Sequence, residues 1–345
     1  MTQFYKLLAA NRCHHLFVYN EGLNVDPLPF DPSGQCKPGG LYFTDLEHLS
    51  VWYEESWPLI ADVTLPPDAR VYAEPCGTKW KADRLVLSNI RPLSTFLATL
   101  DEATLGRMVN RNWMILEHIH NQTEALGHLA IKLDACALQY VRNPTEAMCL
   151  EAVQQIGSMI MHVREQTDAI CLAAVKRNGH VLRHVHNQTE EICLAAVRQD
   201  YEALKHVRCW TDQICLAAVQ KCGLMLLYIH NQSEPVCMAA VQNDGFALRY
   251  VKNQTDALCL AAVQQNGCAL HYVKRQTEDL CMAAVQNNGY ALQFVENQTE
   301  ALCMAAVWNT GSAVMHVRQQ TEAICRAAVA RSPGARCYVK IPIDF

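Results

Sequence analysis

No stretch of the 345-residue chain approaches the roughly 18 consecutive apolar residues of a membrane-spanning helix, so no such span is expected. Met1 to Leu8 lacks a basic segment leading into a long apolar run, so no secretory signal is expected either. Neither charge dominates: 29 Lys and Arg stand against 34 Asp and Glu, a net of −5. From 111 to 345 the two signs number 20 and 21, which makes a poor track for phosphates. What the chain does have is apolar residues, half of its length, enough for two domains and a sizeable core.

It also has a period. Thr or Ser recurs at 123, 145, 167, 189, 211, 233, 255, 277, 299 and 321. Cysteine recurs with the same 22-residue step from 149 to 325, and nothing interrupts the register. A fixed period of this size means stacked repeats. In the unit Thr167–Gln188, Thr167 is a good helix N-cap, and the residue after it is acidic in all ten units, where it meets the positive end of the helix dipole. Three residues after the Thr stands an apolar residue rather than Glu, so the cap is plain, without a capping box. Ile170 to Val175 is apolar all round and belongs between neighbours. Asn178-Gly179 reads as the end of this helix, with Gly179 and its equivalents at 157, 223, 245, 267, 289 and 311 in the left-handed C′ position. A shorter second helix is expected from Val181 to Val185. Neither helix would stand alone in water, so stacking supplies the stability. Ten units at helix spacings of about 8–10 Å would make a rod or superhelix on the order of 90 Å long.

Seventeen cysteines would suggest disulfides in a small secreted protein, but nine occupy one repeat position. Equivalent atoms one helix spacing apart are too distant for a bridge. The expectation is reduced thiols serving as small buried hydrophobes in an intracellular setting, with no metal. The N-x-[ST] acceptor patterns at Asn121, Asn187, Asn231, Asn253 and Asn297 end on cap residues, so the structural reading is preferred to glycosylation.

Residues 1 to about 100 lack the period and are rich in Pro and Gly. Strand-like runs appear at His15–Tyr19, Leu41–Thr44, Leu59–Leu65, Arg70–Tyr72 and Arg84–Leu87, with a possible helix over Asp45–Tyr53. The fold class is therefore an α+β N-terminal domain followed by an all-α solenoid of 22-residue helix-turn-helix repeats, mainly α. The divisions are a small α+β domain at 1–100, repeats over 101–331, and a tail at 332–345. Within the repeats, 101–122 is a degenerate cap and 321–331 a terminal helix.

Two stripes remain once core and caps are subtracted. One carries a ring in every unit: His118, Tyr140, His162, His184, His206, Tyr228, Tyr250, Tyr272, Phe294 and His316. It reads either as a flat half-buried packing position or as a ladder for binding a protein, with His162, His184, His206, Tyr228, Tyr250 and Tyr272 as the binding candidates. The other is mostly basic, from His120 and Arg142 to Lys252, Lys274 and Arg318. It sits at helix C-termini, where cations are favoured anyway, and the acidic row runs parallel to it, four residues along.

The units reading NQTEAICLAAVxxNGxALxxV resemble short helical repeats of unknown function in proteins of giant DNA viruses, large phages and some intracellular bacteria. The segments Phe17–Asp45, Asp62–Tyr72 and Lys81–Leu93 resemble the N-terminal domain that precedes such repeats in giant-virus proteins. This implies a viral or virus-like protein, in the host cytoplasm or in the virion, with no catalytic residues assigned. A second resemblance is to ADP-ribosyltransferase-like domains: a His on a strand (His14 or His15), an EGL turn, then GGLYFT with Tyr42. In that family a His and a Tyr cradle NAD and a later Glu assists, so His15 and Tyr42 would be the catalytic candidates and NAD the cofactor. Neither Glu74 nor Asp83 fills the Glu position by its context. The preferred reading is a non-enzymatic interaction or structural scaffold without cofactor, with protein partners along the repeats, no membrane, and nucleic acid disfavoured. The alternative is a transferase-like head whose repeats find the target.

Overall fold

The computed structural model describes residues 2–14, 17–33, 37–55 and 57–342. The chain falls into two compact units, Met1–Ala173 and Ala174–Phe345.

The first unit opens with a seven-stranded antiparallel sheet in the order β4-β9-β6-β1-β5-β8-β7. The strands are β1 (Phe4–Leu8), β4 (Gly22–Val25), β5 (Leu41–Asp45), β6 (Leu59–Thr64), β7 (Val71–Ala73), β8 (Trp80–Ala82) and β9 (Arg84–Pro92). A small hairpin, β2 (Cys13–His14) with β3 (Phe17–Val18), stands apart from it. Leu8, Tyr19, Leu41, Phe43, Ala61, Val63, Leu85 and Leu87 close one apolar core. The central strand β1 was missed by sequence reading, as were β4 and β8; the helix expected over Asp45–Tyr53 is only a 3-10 turn, Leu49–Trp52.

β1 pairs with β6 along all five residues, yet with β5 only at Phe4↔Asp45 and Tyr5↔Thr44. Beyond Tyr5 the two central strands part, and the sheet opens there.

From Glu102 to Tyr338 the chain repeats one motif: a ten-residue α-helix followed by a six-residue 3-10 helix. The Thr caps are as expected; Thr255 Oγ1, for example, accepts the N–H of Leu258 at 3.3 Å. The apolar helix faces and all nine repeat cysteines are buried. Within the second unit each helix packs on the next and each 3-10 element on the next.

The glycines do not behave as expected. Gly179 and its equivalents are absent from the positive-φ residues, so the left-handed C′ reading is wrong. The helix ends on an extended Asn178 (φ −153°, ψ 109°), whose side chain caps the 3-10 element Gly179–His184 by accepting the N–H of His180. Glycine is there because the next unit presses against it. A Cβ on Gly245 would stand 2.5 Å from the carbonyl oxygen of Ala262, and one on Gly267 2.4 Å from that of Ala284. The 3-10 geometry also explains Pro333: a first residue needs no N–H partner, so Pro333–Tyr338 forms the same element in the segment that sequence reading left as a tail.

Candidate functional site

Most polar side chains of the repeat are consumed by stacking. Gln188 donates from Nε2 to the carbonyls of Leu182 and His206, both at 3.0 Å. Its Oε1 accepts the N–H of Arg208 at 2.9 Å and faces Cys193 Sγ at 3.8 Å. Gln254 repeats the pattern with Leu248, Tyr272, Lys274 and Cys259. One amide therefore ties the ends of two consecutive 3-10 elements. The cysteine beneath it is an inert thiol; burial raises the pKa of Cys259, and that of Cys193 to about 11.

The acidic and basic rows are also engaged, though not with each other as their parallel course suggested. Glu190 accepts the hydroxyl of Thr211 at 2.6 Å, and Glu278 that of Thr299 at 3.5 Å. Arg208 donates to the carbonyl of His186 and Lys252 to that of His230, both at 2.8 Å. Lys274 and Arg318 do likewise with Lys252 and Val295. These cations keep their charge, but several of their donors are already held by backbone carbonyls of the neighbouring unit.

The ring stripe is different. In the first unit, His118 packs edge-on to Tyr53 at 5.4 Å, and the Tyr140 hydroxyl bonds the Glu55 carboxylate, so both are structural. His162 is exposed. In the second unit His184, His206, Tyr250 and Tyr272 are half-buried and Tyr228 is exposed. Rings of neighbouring repeats touch, as in His180–His206 at 5.9 Å and Phe246–Tyr272 at 6.1 Å. Desolvation lowers the pKa of His184 and His206, favouring their neutral form.

One joint in this stripe is loosened. Tyr201 stands where most units have glycine, and Trp210 where most have the glutamine. An indole offers no acceptor, so the N–H of His230 lacks the amide that serves its equivalents, and Trp210 bonds instead to the Val207 carbonyl at 2.9 Å. The 3-10 elements Tyr201–His206 and Gly223–Tyr228 pack less closely than their neighbours do. Beside that joint Leu227 is 51% exposed and Tyr228 39%. The position of Leu227 is outward-facing in other repeats too, as Met315 is 41% exposed, so what distinguishes this joint is the looser stacking beside an exposed Tyr228.

The other candidate lies where β1 and β5 part. A cavity of about 350 Å³ opens there, lined by Lys6, His14, Tyr42, Trp52, Trp57 and Lys79, among others. His15 lies outside the described residues, so of the two histidines considered only His14 can be placed, and it shares this cavity with Tyr42. Its ring meets Trp57 edge-on at 4.9 Å. Trp52 is anchored by its indole N–H on the Thr78 carbonyl at 3.1 Å. Lys79 lies over Trp52, its Nζ 3.9 Å from the ring centre, and 3.9 Å from a carboxylate oxygen of Glu74. Glu74 is buried and neither of its oxygens has a hydrogen-bond partner. Lys6 is buried with its Nζ on the Tyr42 carbonyl at 2.7 Å; desolvation lowers its pKa to about 7. Asp83 is taken by Arg70 and Arg84. Sequence reading missed Lys6, Trp52, Trp57 and Lys79; the available signal was lysine inside apolar strands, Tyr5-Lys6-Leu7 and Lys79-Trp80-Lys81.

A family model described as a domain of unknown function (DUF4116) matches residues 258–298. Among curated proteins, relatives come from Acanthamoeba polyphaga mimivirus. One, provisionally named ankyrin repeat protein R868, is 35% identical over 95 residues, covering 26% of this chain and 47% of that protein. Another, provisionally named ankyrin repeat protein L100, is 30% identical over 118 residues, 32% of this chain and 19% of that protein. A third, R229, is 34% identical over 89 residues, 23% and 29% of the two chains. The chain spans less than half the length of each. No solved structure matches. The chain is thus similar to giant-virus repeat proteins, although its 22-residue period differs from the roughly 33 residues of an ankyrin unit.

Proposed function

We propose that this chain is a giant-virus interaction protein without catalysis of its own, and that it binds protein partners through the ring-bearing face of its 3-10 elements. The observation that carries the reading is the loosened joint at Tyr201 and Trp210. There the amide that ties neighbouring 3-10 elements is missing, and Leu227 and Tyr228 beside it are exposed. Tyr228 and Tyr250 are the central contacts, flanked by His184, His206 and Tyr272, with His162 a further candidate. Large rings with a polar tip are the usual anchors of protein interfaces. The engaged basic row argues against nucleic acid, and no described helix is long and apolar enough to cross a membrane. A place inside the host cell or in the particle fits the viral relatives.

The test is melting and partner capture, from host or infected cells, for Tyr228→Ala and Tyr250→Ala. The reading expects capture to fall about tenfold or more for each, since anchors of this kind contribute roughly 2 kcal/mol. Lost stability with unchanged capture would make the stripe a packing feature and end the proposal.

A second reading, of the head alone, is favoured by one observation: His14 and Tyr42 line the same cavity. On that reading the head is transferase-like and NAD is its ligand. Incubating the protein with NAD, and with Tyr42→Ala as control, tests it; neither binding nor hydrolysis would dispose of it.

A further inference from the structure

The cavity between β1 and β5 has a charge pattern that neither reading uses. Two amines, Lys6 and Lys79, belong to its wall, and a third, Lys81, is fully buried behind it with Nζ 5.5 Å from the Tyr42 ring centre. Their neighbours do not balance them equally. Lys79 has the Glu74 carboxylate, and Lys81 reaches the Ser33 carbonyl at 3.4 Å with Asp31 in its field. Lys6 has a carbonyl and, 4.2 Å away, the centre of the Tyr19 ring, but no carboxylate. Among the described residues, the acid on the cavity wall is Glu54, which is exposed to solvent. A buried ammonium without a counter-charge is among the costlier things a fold can hold. The same cavity wall carries Tyr42, Trp52 and Trp57, the first two with Lys79 Nζ 4.9 and 3.9 Å from their ring centres.

We propose that this cavity is a binding site for a small aromatic anion, a flat ring held among Trp52, Trp57 and Tyr42 with its carboxylate or phosphate oxygens on Lys6. The anion supplies the counter-charge that Lys6 lacks, and the tryptophans supply the apolar surface. The volume lies at the small end of the roughly 300–1,000 Å³ of ligand sites, which suits one ring system with one acidic group. The inference needs no transfer chemistry, so it stands or falls separately from the NAD reading.

Binding of an anion requires Lys6 protonated, so the complex takes up a proton wherever free Lys6 is neutral. With a pKa of about 7, affinity falls about tenfold between pH 6 and pH 8, because the competent fraction falls by that factor. The other titratable groups facing Lys6 are the Tyr19 and Tyr42 hydroxyls, His14 on the hairpin, Glu54 at the rim and the Lys79–Glu74 pair. His14 shares the cavity wall, so its contribution has to be separated by substitution.

The experiment is calorimetric titration of the full chain with benzoate, adenosine monophosphate and inorganic phosphate at pH 6, 7 and 8, in buffers of different ionisation enthalpy. The proposal expects one-to-one binding of benzoate or adenosine monophosphate, proton uptake near pH 7, and the tenfold weakening. Benzoate alone would mark a carboxylate ligand, adenosine monophosphate alone a phosphate. Lys6→Met should abolish binding while His14→Asn keeps it, and Trp57→Leu should weaken the aromatic probes. Should Lys6→Met fold poorly, the wild-type pH series decides. Failure of all probes, binding without proton uptake, binding kept in a folded Lys6→Met, or phosphate bound as well as the ring compounds would each overturn the proposal.

Discussion

The sheet region and the repeats handle buried polarity in opposite ways. Among the described residues, the eight buried polar or charged side chains are Lys6, Asn24, Thr44, Ser50, Glu74, Lys79, Lys81 and Asp83, all in the sheet region. The repeats bury aliphatic side chains, alanine and cysteine, and meet their backbone donors and acceptors with amides such as Gln188 and Gln254. Many of the polar atoms that a repeat needs paired find a partner in the neighbouring unit, a relation that the 22-residue register repeats. The sheet region has no such redundancy, and Glu74, ion-paired with Lys79 but without a hydrogen bond, and the uncompensated Lys6 sit beside its cavity. Where a fold breaks its own rules without local compensation, the breach more often belongs to a site than to the scaffold. That contrast directs the search for ligands to the sheet and the search for protein partners to the repeats.

The largest expected effect would come from Lys6. Its folded pKa, about 7, lies below the ordinary 10.5. Below pH 7 both states are charged and the full cost of the buried ammonium is present. Between pH 7 and about 10.5 the unfolded chain holds a proton that the native state has released, so stability rises with pH across that window. The rise should be on the order of several kcal/mol. Lys6→Met should remove it and raise stability most at pH 6. Urea midpoints for both proteins at pH 6, 8 and 9.5 measure this, and parallel pH profiles would show that Lys6 is solvated after all.

Next comes Gly245→Ala, at about 2–3 kcal/mol, because the added carbon meets the Ala262 carbonyl at 2.5 Å and one side of the joint must move. The sheet region offers the opposite control. Gly77 has φ 69° with open space around it, so Gly77→Ala should cost only about 1 kcal/mol, through the backbone alone. Denaturant titration that ranked the two the other way would return Gly245 to a conformational role.

These glycines also show what could be read from the sequence and what could not. The period, the Thr caps, the buried cysteines and the paired short elements follow from one-dimensional spacing, which stacking preserves. The reason for Gly245 does not, because its obstacle is Ala262, in the next unit; only the register of two stacked units reveals it. The same holds for Gln254, whose four partners are spread over two repeats and which reads locally as an ordinary polar residue before a cap. The ring stripe was legible as a row, but not the loosened joint at Tyr201 and Trp210 beside Leu227 and Tyr228. In the sheet region β1 was missed because Lys6 interrupts its apolar pattern, and Lys6 is the residue that makes the cavity unusual.

The smallest effect concerns two caps that look interchangeable in the sequence. Thr255 accepts the N–H of Leu258 at 3.3 Å, whereas Ser233 makes no cap hydrogen bond although its hydroxyl is buried. The Ser233 helix carries Pro235 in its first turn, which already fixes the backbone and leaves one donor fewer to satisfy. Thr255→Ala should therefore cost about 1 kcal/mol, and Ser233→Ala no more than a few tenths. The glutamines preceding both caps differ less: Gln232 and Gln254 each donate to the carbonyl of the following ring residue, at 2.9 and 2.8 Å. A difference between the two alanine variants would thus report the cap alone. Equal losses would mean that the Ser233 hydroxyl finds an acceptor in solution, and that repeat would then be as regularly capped as its neighbours.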